Sequence, residues 1–386
     1  MHLQHLLLFF LLAAPVAALP PGLLGASYPD SDGFAHAREH LDLLRRTGFR
    51  LVTLVPGHAY VGLDRIDFSR SPAPARVEEA IRLALVDGFT VVVKPHLEPG
   101  MYKGMDPATT PNHSWRVACP WRGWFDVDPM SPAYADGVVR DTLAQIARAI
   151  AAAHRERRNL PPVRFELGTE LMNSVVEKPD RWLALLARAR RDVAALGLTG
   201  RVLLSHNFSH HIMLPEDEVL RMPPARRRIL GRYIAGLDAV AISQYMDLTV
   251  AAHHAGPPTP DEIADALVAH ERTLETIFTH ELGIAPAELK PLHIGEFGIG
   301  SGGLAHPNLW DGHPQGQAER RLEAEIELGF RGLVTYLQRP MGAAGRHART
   351  AVLWTTGRYF DIFGWVDRSN ALPRAASVVS AALNAR

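Results

Sequence analysis

Eight short apolar runs, each followed by a stretch whose apolar residues return every three or four positions, constrain this chain more than any other feature. The runs are "LLGASYP" (23–29), "RLVTLVPG" (50–57), "TVVVKPHLE" (90–98), "VRFELGTE" (163–170), "VLLSHNF" (202–208), "AVAISQYMD" (239–247), "PLHIGEFG" (291–298) and "TAVLWTTG" (350–357). Helical spacing is plain in Phe34, Ala37, Leu41 and Leu44, in Val139, Leu143, Ile146 and Ile150, and in Leu322, Ile326, Phe330, Leu333 and Leu337. Two segments, "DLLRRTGFRLVTLVP" and "RLALVDGFTVVVKP", share the order helix, Gly-Phe, buried strand, which predicts Gly48 and Gly88 just past helix ends, where a left-handed conformation suits glycine. Eight strand-helix pairs in 386 residues predict an α/β fold, a (β/α)8 TIM barrel in a single domain. A doubly wound sheet would need fewer strands and a Gly-rich first turn, which "LLGASYPDSDGF" does not supply.

At 47% apolar and 21% charged residues the composition is that of a folded globular chain. Lys and Arg number 41 and so do Asp and Glu, and the basic residues are dispersed, so no nucleic-acid footprint is present. The opening "MHLQHLLLFFLLAAPVAALP" joins a short apolar core to the small-residue site Val16-Ala17-Ala18 and reads as a signal peptide over 1–18. The barrel would then occupy 19–386, secreted or periplasmic, with no membrane association after cleavage. Cys119 is the sole cysteine, so no intramolecular disulfide can form.

In a barrel of this kind chemistry belongs where strands end and the following loops begin. The fourth run ends at Glu170 and the seventh at Glu296, with Gly168 beside the first and Gly295 and Gly298 beside the second. Two carboxylates facing each other across the mouth suit glycoside hydrolysis. A glycosidic oxygen leaves poorly until protonated, and the developing oxocarbenium ion needs a negative partner on its other face. The expected partner is an oligo- or polysaccharide.

Other strand ends offer polar groups. Lys94 and His96 after the third run and Asn207 in the fifth are candidates to hydrogen-bond sugar hydroxyls, and Lys94 alternatively stabilises a neighbouring carboxylate. Tyr245 is placed to donate its hydroxyl to Glu296. In "NHSWRVACPWRGWFDVDP" (112–129), Trp115, Trp121 and Trp124 form either flat platforms for sugar rings or a local core, with Arg116 and Arg122 as hydroxyl binders. Histidines number 19, but neither "SHNFSHHIM" (His206, His210, His211) nor the pair His253 and His254 has clear metal-ligand spacing, so neither metal nor cofactor is expected. A Gly-x-Ser-x-Gly elbow is missing. A barrel that binds carbohydrate without cleaving it, or a metal-dependent barrel hydrolase, is the alternative.

"ELGTELMNS" followed by "LHIGEFGIGS" resembles the strand-four and strand-seven signatures of clan A retaining glycoside hydrolases, and the Gly-Thr-Glu form is similar to the family 113 β-mannanase type. The resemblance implies that Glu170 is the acid/base, Glu296 the nucleophile, Tyr245 the nucleophile's hydrogen-bond donor and Trp354 the floor of the central subsite; a monomer that needs no cofactor is expected. One position departs from the pattern: most of the clan has Asn before the acid/base, where this chain has Thr169.

Overall fold

The computed structural model describes residues 19–30, 32–62, 65–99, 122–210, 218–249, 252–254, 256–299, 303–305, 317–339, 350–354 and 373–384. The proposed leader (1–18), Cys119, Trp115, Trp121, Arg116 and His211 lie outside these residues.

Each of the eight apolar runs contributes one strand: β1 (Leu24–Pro29), β2 (Leu51–Val55), β3 (Thr90–Val93), β4 (Val163–Thr169), β5 (Val202–Ser209), β6 (Ala239–Gln244), β7 (Leu292–Phe297) and β8 (Ala351–Leu353). They pair in parallel in chain order and close when β8 pairs β1, Leu24 opposite Ala351. A long helix follows each: α1 (Ala37–Thr47), α2 (Pro74–Val86), α3 (Asp141–Glu156), α4 (Pro179–Ala195), α5 (Pro224–Gly236), α6 (Pro260–Thr276), α7 (Gln317–Gln338) and α8 (Pro373–Asn384). The architecture is the expected (β/α)8 barrel.

Local chemistry sets the boundaries. Proline occupies the first turn of α2, α4, α5 and α6, where its missing N–H removes nothing the helix needs. Thr259 and Glu262 cap α6 reciprocally. Gly48 (φ 106°) and Gly88 (φ 86°) end the turns after α1 and α2 in the left-handed region, as the shared Gly-Phe pattern predicts.

The main core lies between strands and helices. Alternation puts Val52, Leu54, Val91 and Val93 in that layer, while Leu51, Val92 and Val352 form a separate small cluster inside the barrel. Above it the buried inward positions turn polar: Ser27, Thr53, Lys94, Arg164, Glu166, Ser205, Asn207 and Ser243. Outside the barrel, His206 of β5 is buried against Trp182, Phe208 and Tyr233, with its Nδ1 2.8 Å from the Tyr233 hydroxyl. His270 of α6 is buried against β6 and β7.

The second and third runs do not stay in the barrel. β2 and β3 stop at Val55 and Val93, and the chain continues through Pro56 and Pro95, neither of which can donate to a ladder. The segments beyond, Gly57–Gly62 and His96–Pro99, pair in parallel, and Arg65–Asp67 adds to the other edge of Gly57–Gly62 to complete a small side sheet. That switch carries His96 and Glu98 to the C-terminal mouth of the barrel.

Candidate active site

Both strands that end in the proposed catalytic carboxylates are bulged just before them. Between Glu166 and Thr169, β4 spends three steps against two on β5, from Ser205 to Asn207. Between Ile294 and Glu296, β7 spends two steps against one on β6, from Ile242 to Ser243. A bulge adds a residue to one strand and re-aims the side chains that follow. Each one frees a carbonyl, and each carbonyl is caught by a buried side chain: Tyr134 Oη donates to Leu167 O at 2.7 Å, and Lys94 Nζ to Gly295 O at 2.8 Å.

The glycines at the bulges are required by crowding. A Cβ on Gly168 would stand 2.6 Å from the His206 ring and 2.7 Å from Trp182, and one on Gly295 would stand 2.1 Å from Asn207 Oδ1. The space beside the two glutamates is filled by neighbouring strands.

Glu296 is 3% exposed and surrounded by donors. Lys94 Nζ donates to Oε1 at 3.1 Å, Tyr245 Oη donates to Oε2 at 3.0 Å, and His96 Nε2 stands 3.4 Å from Oε1. Burial opposes a charge here, but Lys94, His96 and Arg122 together outweigh it and hold the carboxyl well below the ordinary carboxylate range. Burial and the charges of Glu296 and Glu170 push the Tyr245 hydroxyl far up, so it remains a donor. Lys94 also lies 3.7 Å from Glu166 Oε2, and Arg164 Nε lies 3.9 Å from Glu166 Oε1. Basic and acidic side chains therefore alternate up the barrel interior, from Arg164 through Glu166 and Lys94 to Glu296, and burial pushes the Glu166 carboxyl up against the pull of Lys94 and Arg164.

Glu170 is held differently. It follows β4 directly, at φ 54°, a left-handed conformation uncommon for a residue with a long side chain. Its N–H donates to Asn207 O at 2.8 Å, which ties the turn to β5. Arg122 Nη1 donates to its Oε2 at 3.1 Å. The same guanidinium donates from Nη2 to Glu98 Oε1 at 3.0 Å and from Nε to Leu97 O at 3.3 Å. Arg122 opens a 3-10 turn (Arg122–Trp124). Just beyond it, Phe125 stacks on Tyr60 of the side sheet with ring centroids 4.5 Å apart.

Among the remaining sequence candidates, Trp354 follows β8 and stacks on His96 at 5.2 Å between centroids, 17° from coplanar. Asn207 is fully buried and gives its Nδ2–H to Ser243 Oγ, inside the barrel wall. Thr169 is buried and donates to Pro95 O at 3.2 Å. Trp124 belongs to the Arg122 turn, and its side chain lies outside the described residues. Sequence reasoning missed Glu98, Glu166 and Arg164. It assigned Arg122 to sugar hydroxyls, whereas in the structure Arg122 binds Glu170 and Glu98. Among the described residues no group of three or more His, Cys, Asp or Glu could hold a metal ion, and no helix is long and apolar enough to cross a membrane.

No protein-family model matches the chain, and no curated protein sequence matches it. Solved structures do resemble it in fold. A GH113 β-1,4-mannanase in a complex aligns with a TM-score of 0.55 at 15% identity, covering 96% of this chain and 100% of that one. An exo-β-1,4-mannosidase from Opitutaceae bacterium strain TAV5 aligns with a TM-score of 0.51 at 14% identity, over 95% of this chain and 61% of that longer one. At these identities the likeness establishes the barrel architecture.

Proposed function

We propose that this chain is a glycoside hydrolase that cleaves β-linked glycans with retention, using Glu296 as nucleophile and Glu170 as acid and then base. The observation that carries the reading is the electrostatic contrast between two carboxylates at the mouth of one barrel. Glu296 sits among Lys94, His96 and Tyr245, which favour a permanent anion able to attack an anomeric carbon. Glu170 stands on the turn after β4, where the Arg122 guanidinium from a loop meets it.

In the first step a Glu296 oxygen bonds to the anomeric carbon as the glycosidic C–O bond breaks, and Glu170 gives its proton to the departing oxygen. In the second, Glu170 as carboxylate removes a proton from water, which attacks the anomeric carbon and releases Glu296. Trp354, flat against His96, is the surface on which the sugar of the central subsite rests. The mannan-active neighbours in fold make β-mannan the first substrate to try, and the apolar leader makes the enzyme an exported one.

The test is reducing-sugar release from β-mannan, β-glucan, xylan and bacterial exopolysaccharides by the wild type and by Glu170→Gln and Glu296→Gln. Loss of activity by orders of magnitude in both variants supports the two-carboxylate reading. Unchanged activity in both sinks it. Wild-type silence on the whole panel, with carbohydrate binding by calorimetry, favours a binding barrel. The anomeric configuration of the first product, read by proton NMR, decides between retention and inversion.

A further inference from the structure

A general acid must carry a proton, yet Arg122 is bonded to Glu170, and a guanidinium beside a carboxyl favours the anion. A protonated Glu170 would also leave Arg122 without a full counter-charge there, and a largely buried cation without one is costly. The side sheet supplies a second carboxylate at this point. Glu98 Oε1 accepts from Arg122 Nη2 at 3.0 Å and lies 3.2 Å from His96 Nδ1. His96 in turn reaches Glu296 with its other nitrogen, 3.4 Å from Oε1. One continuous chain of polar contacts therefore runs Glu170, Arg122, Glu98, His96, Glu296. It passes from one proposed catalytic carboxylate to the other without using the substrate.

We infer that Glu98 is a positioning residue that keeps Arg122 paired and in place whenever Glu170 holds a proton, and that it thereby lets Glu170 act as the acid; this rests on the hydrolase reading above. Three observations converge. Arg122 addresses both carboxylates at once with different nitrogens, so it needs no rearrangement when one of them is neutralised. Leu97 O fixes Nε of the same guanidinium, and the Phe125–Tyr60 stack pins the chain just after it to the sheet that carries Glu98. Glu98 itself stays anionic: burial pushes its carboxyl up, but Arg122 and His96 overcome this and hold it at about 2. Among the described residues, the charged and titratable groups that act on Glu170 include Arg122 from the loop and Tyr245 from the end of β6, and Arg122 also feels Glu296 of β7. Among the same residues, those on Glu98 include Arg122 and His96.

The inference is tested by Glu98→Gln, which keeps the shape and removes the charge. Without Glu98 the whole field of Arg122 falls on Glu170, so the high-pH limb of kcat/KM, where the acid loses its proton, moves to lower pH. A displacement of about half a unit, worth about a threefold loss on that limb, is expected, with Glu98→Asp recovering most of it. Aryl glycosides with good leaving groups, which need no acid in the first step, lose less. A merely structural defect would lower all substrates alike and leave the limb where it was.

Crystal structures of Glu170→Gln and of the double variant Glu98→Gln/Glu170→Gln give a readout independent of turnover, because the amide mimics a protonated Glu170. Arg122 in place in the single variant and displaced in the double one supports the inference. An unmoved limb in Glu98→Gln, or Arg122 leaving in the single variant, overturns it. Full activity in Glu170→Gln would instead overturn the hydrolase reading, and the two structures would still decide what Glu98 does for Arg122.

Discussion

The ends of β4 and β7 are built alike and hold their glutamates differently. Each carries a one-residue bulge, a glycine hemmed in by its neighbours, and a freed carbonyl capped by a buried side chain. At β7 the glutamate lies within the strand, and two buried side chains, Lys94 and Tyr245, hydrogen-bond its two oxygens. At β4 the glutamate lies one residue past the strand, on a left-handed backbone, and a loop arginine shared with a second carboxylate meets it. The difference teaches that a group that must keep one charge state can be locked by its surroundings. A group that must alternate needs a partner able to let go without losing its own counter-ion.

The sharpest break of this comparison is chemical. Glu296→Ala should abolish hydrolysis of every substrate, by about four orders of magnitude or more, whereas Glu170→Ala should retain far more activity on dinitrophenyl glycosides than on unactivated glycans, since general acid catalysis is worth about 10²- to 10⁴-fold. Equal losses on both substrates would end the asymmetry. Next comes Lys94→Met, which strips the shared cation from two buried carboxylates, Glu296 and Glu166, and should cost about 3–5 kcal/mol of stability by denaturant unfolding. Tyr245→Phe removes one buried hydrogen bond to a charged acceptor, so stability by denaturant unfolding should fall by about 1.5–3 kcal/mol, and kcat should fall with it. Smallest of all, Glu170→Gly relieves the positive φ, worth about 1 kcal/mol, but takes one counter-charge from Arg122, so stability should change little while activity on glycans is lost. Glu296→Gly, on a strand, should lower stability.

Much of this was legible in the sequence, and the physical reasons for the rest are specific. Strand count, helix faces and the turns at Gly48 and Gly88 follow from periodicity and from the one residue type that tolerates those turns. Glu170 and Glu296 are visible because each interrupts an apolar run at a strand end. The site's other half was hidden. In a closed parallel barrel both faces of a strand are buried, so period-two alternation does not separate Asn207, inside the wall, from a residue at the mouth. Glu166 reads as one polar position among several until register brings it beside Lys94 and Arg164. Pro56 and Pro95 could have signalled the break in the second and third runs, but that their continuations pair with each other and carry Glu98 to Arg122 is a tertiary fact. Gly168 and Gly295 are visible in the sequence beside the two glutamates, but that His206, Trp182 and Asn207 occupy the space a side chain would need there is again a tertiary fact.

Two of the buried histidines, His206 beneath Trp182 and His270 on α6, bear on where such a chain can survive. Burial pushes them down to about 3 and about 4, so both are neutral in the folded chain at mild acidity. The unfolded chain protonates them near ~6.5 and so binds more protons between those values. Stability therefore falls as pH drops below ~6.5, by on the order of 2 kcal/mol per histidine at pH 5, and thermal unfolding at pH 5 and pH 7 would measure it. Glu296 is still ionised there. In an acidifying medium the outer layer therefore loses stability while Glu296 still holds its charge, so the first acid response of this protein comes from its scaffold rather than from the mouth of the barrel.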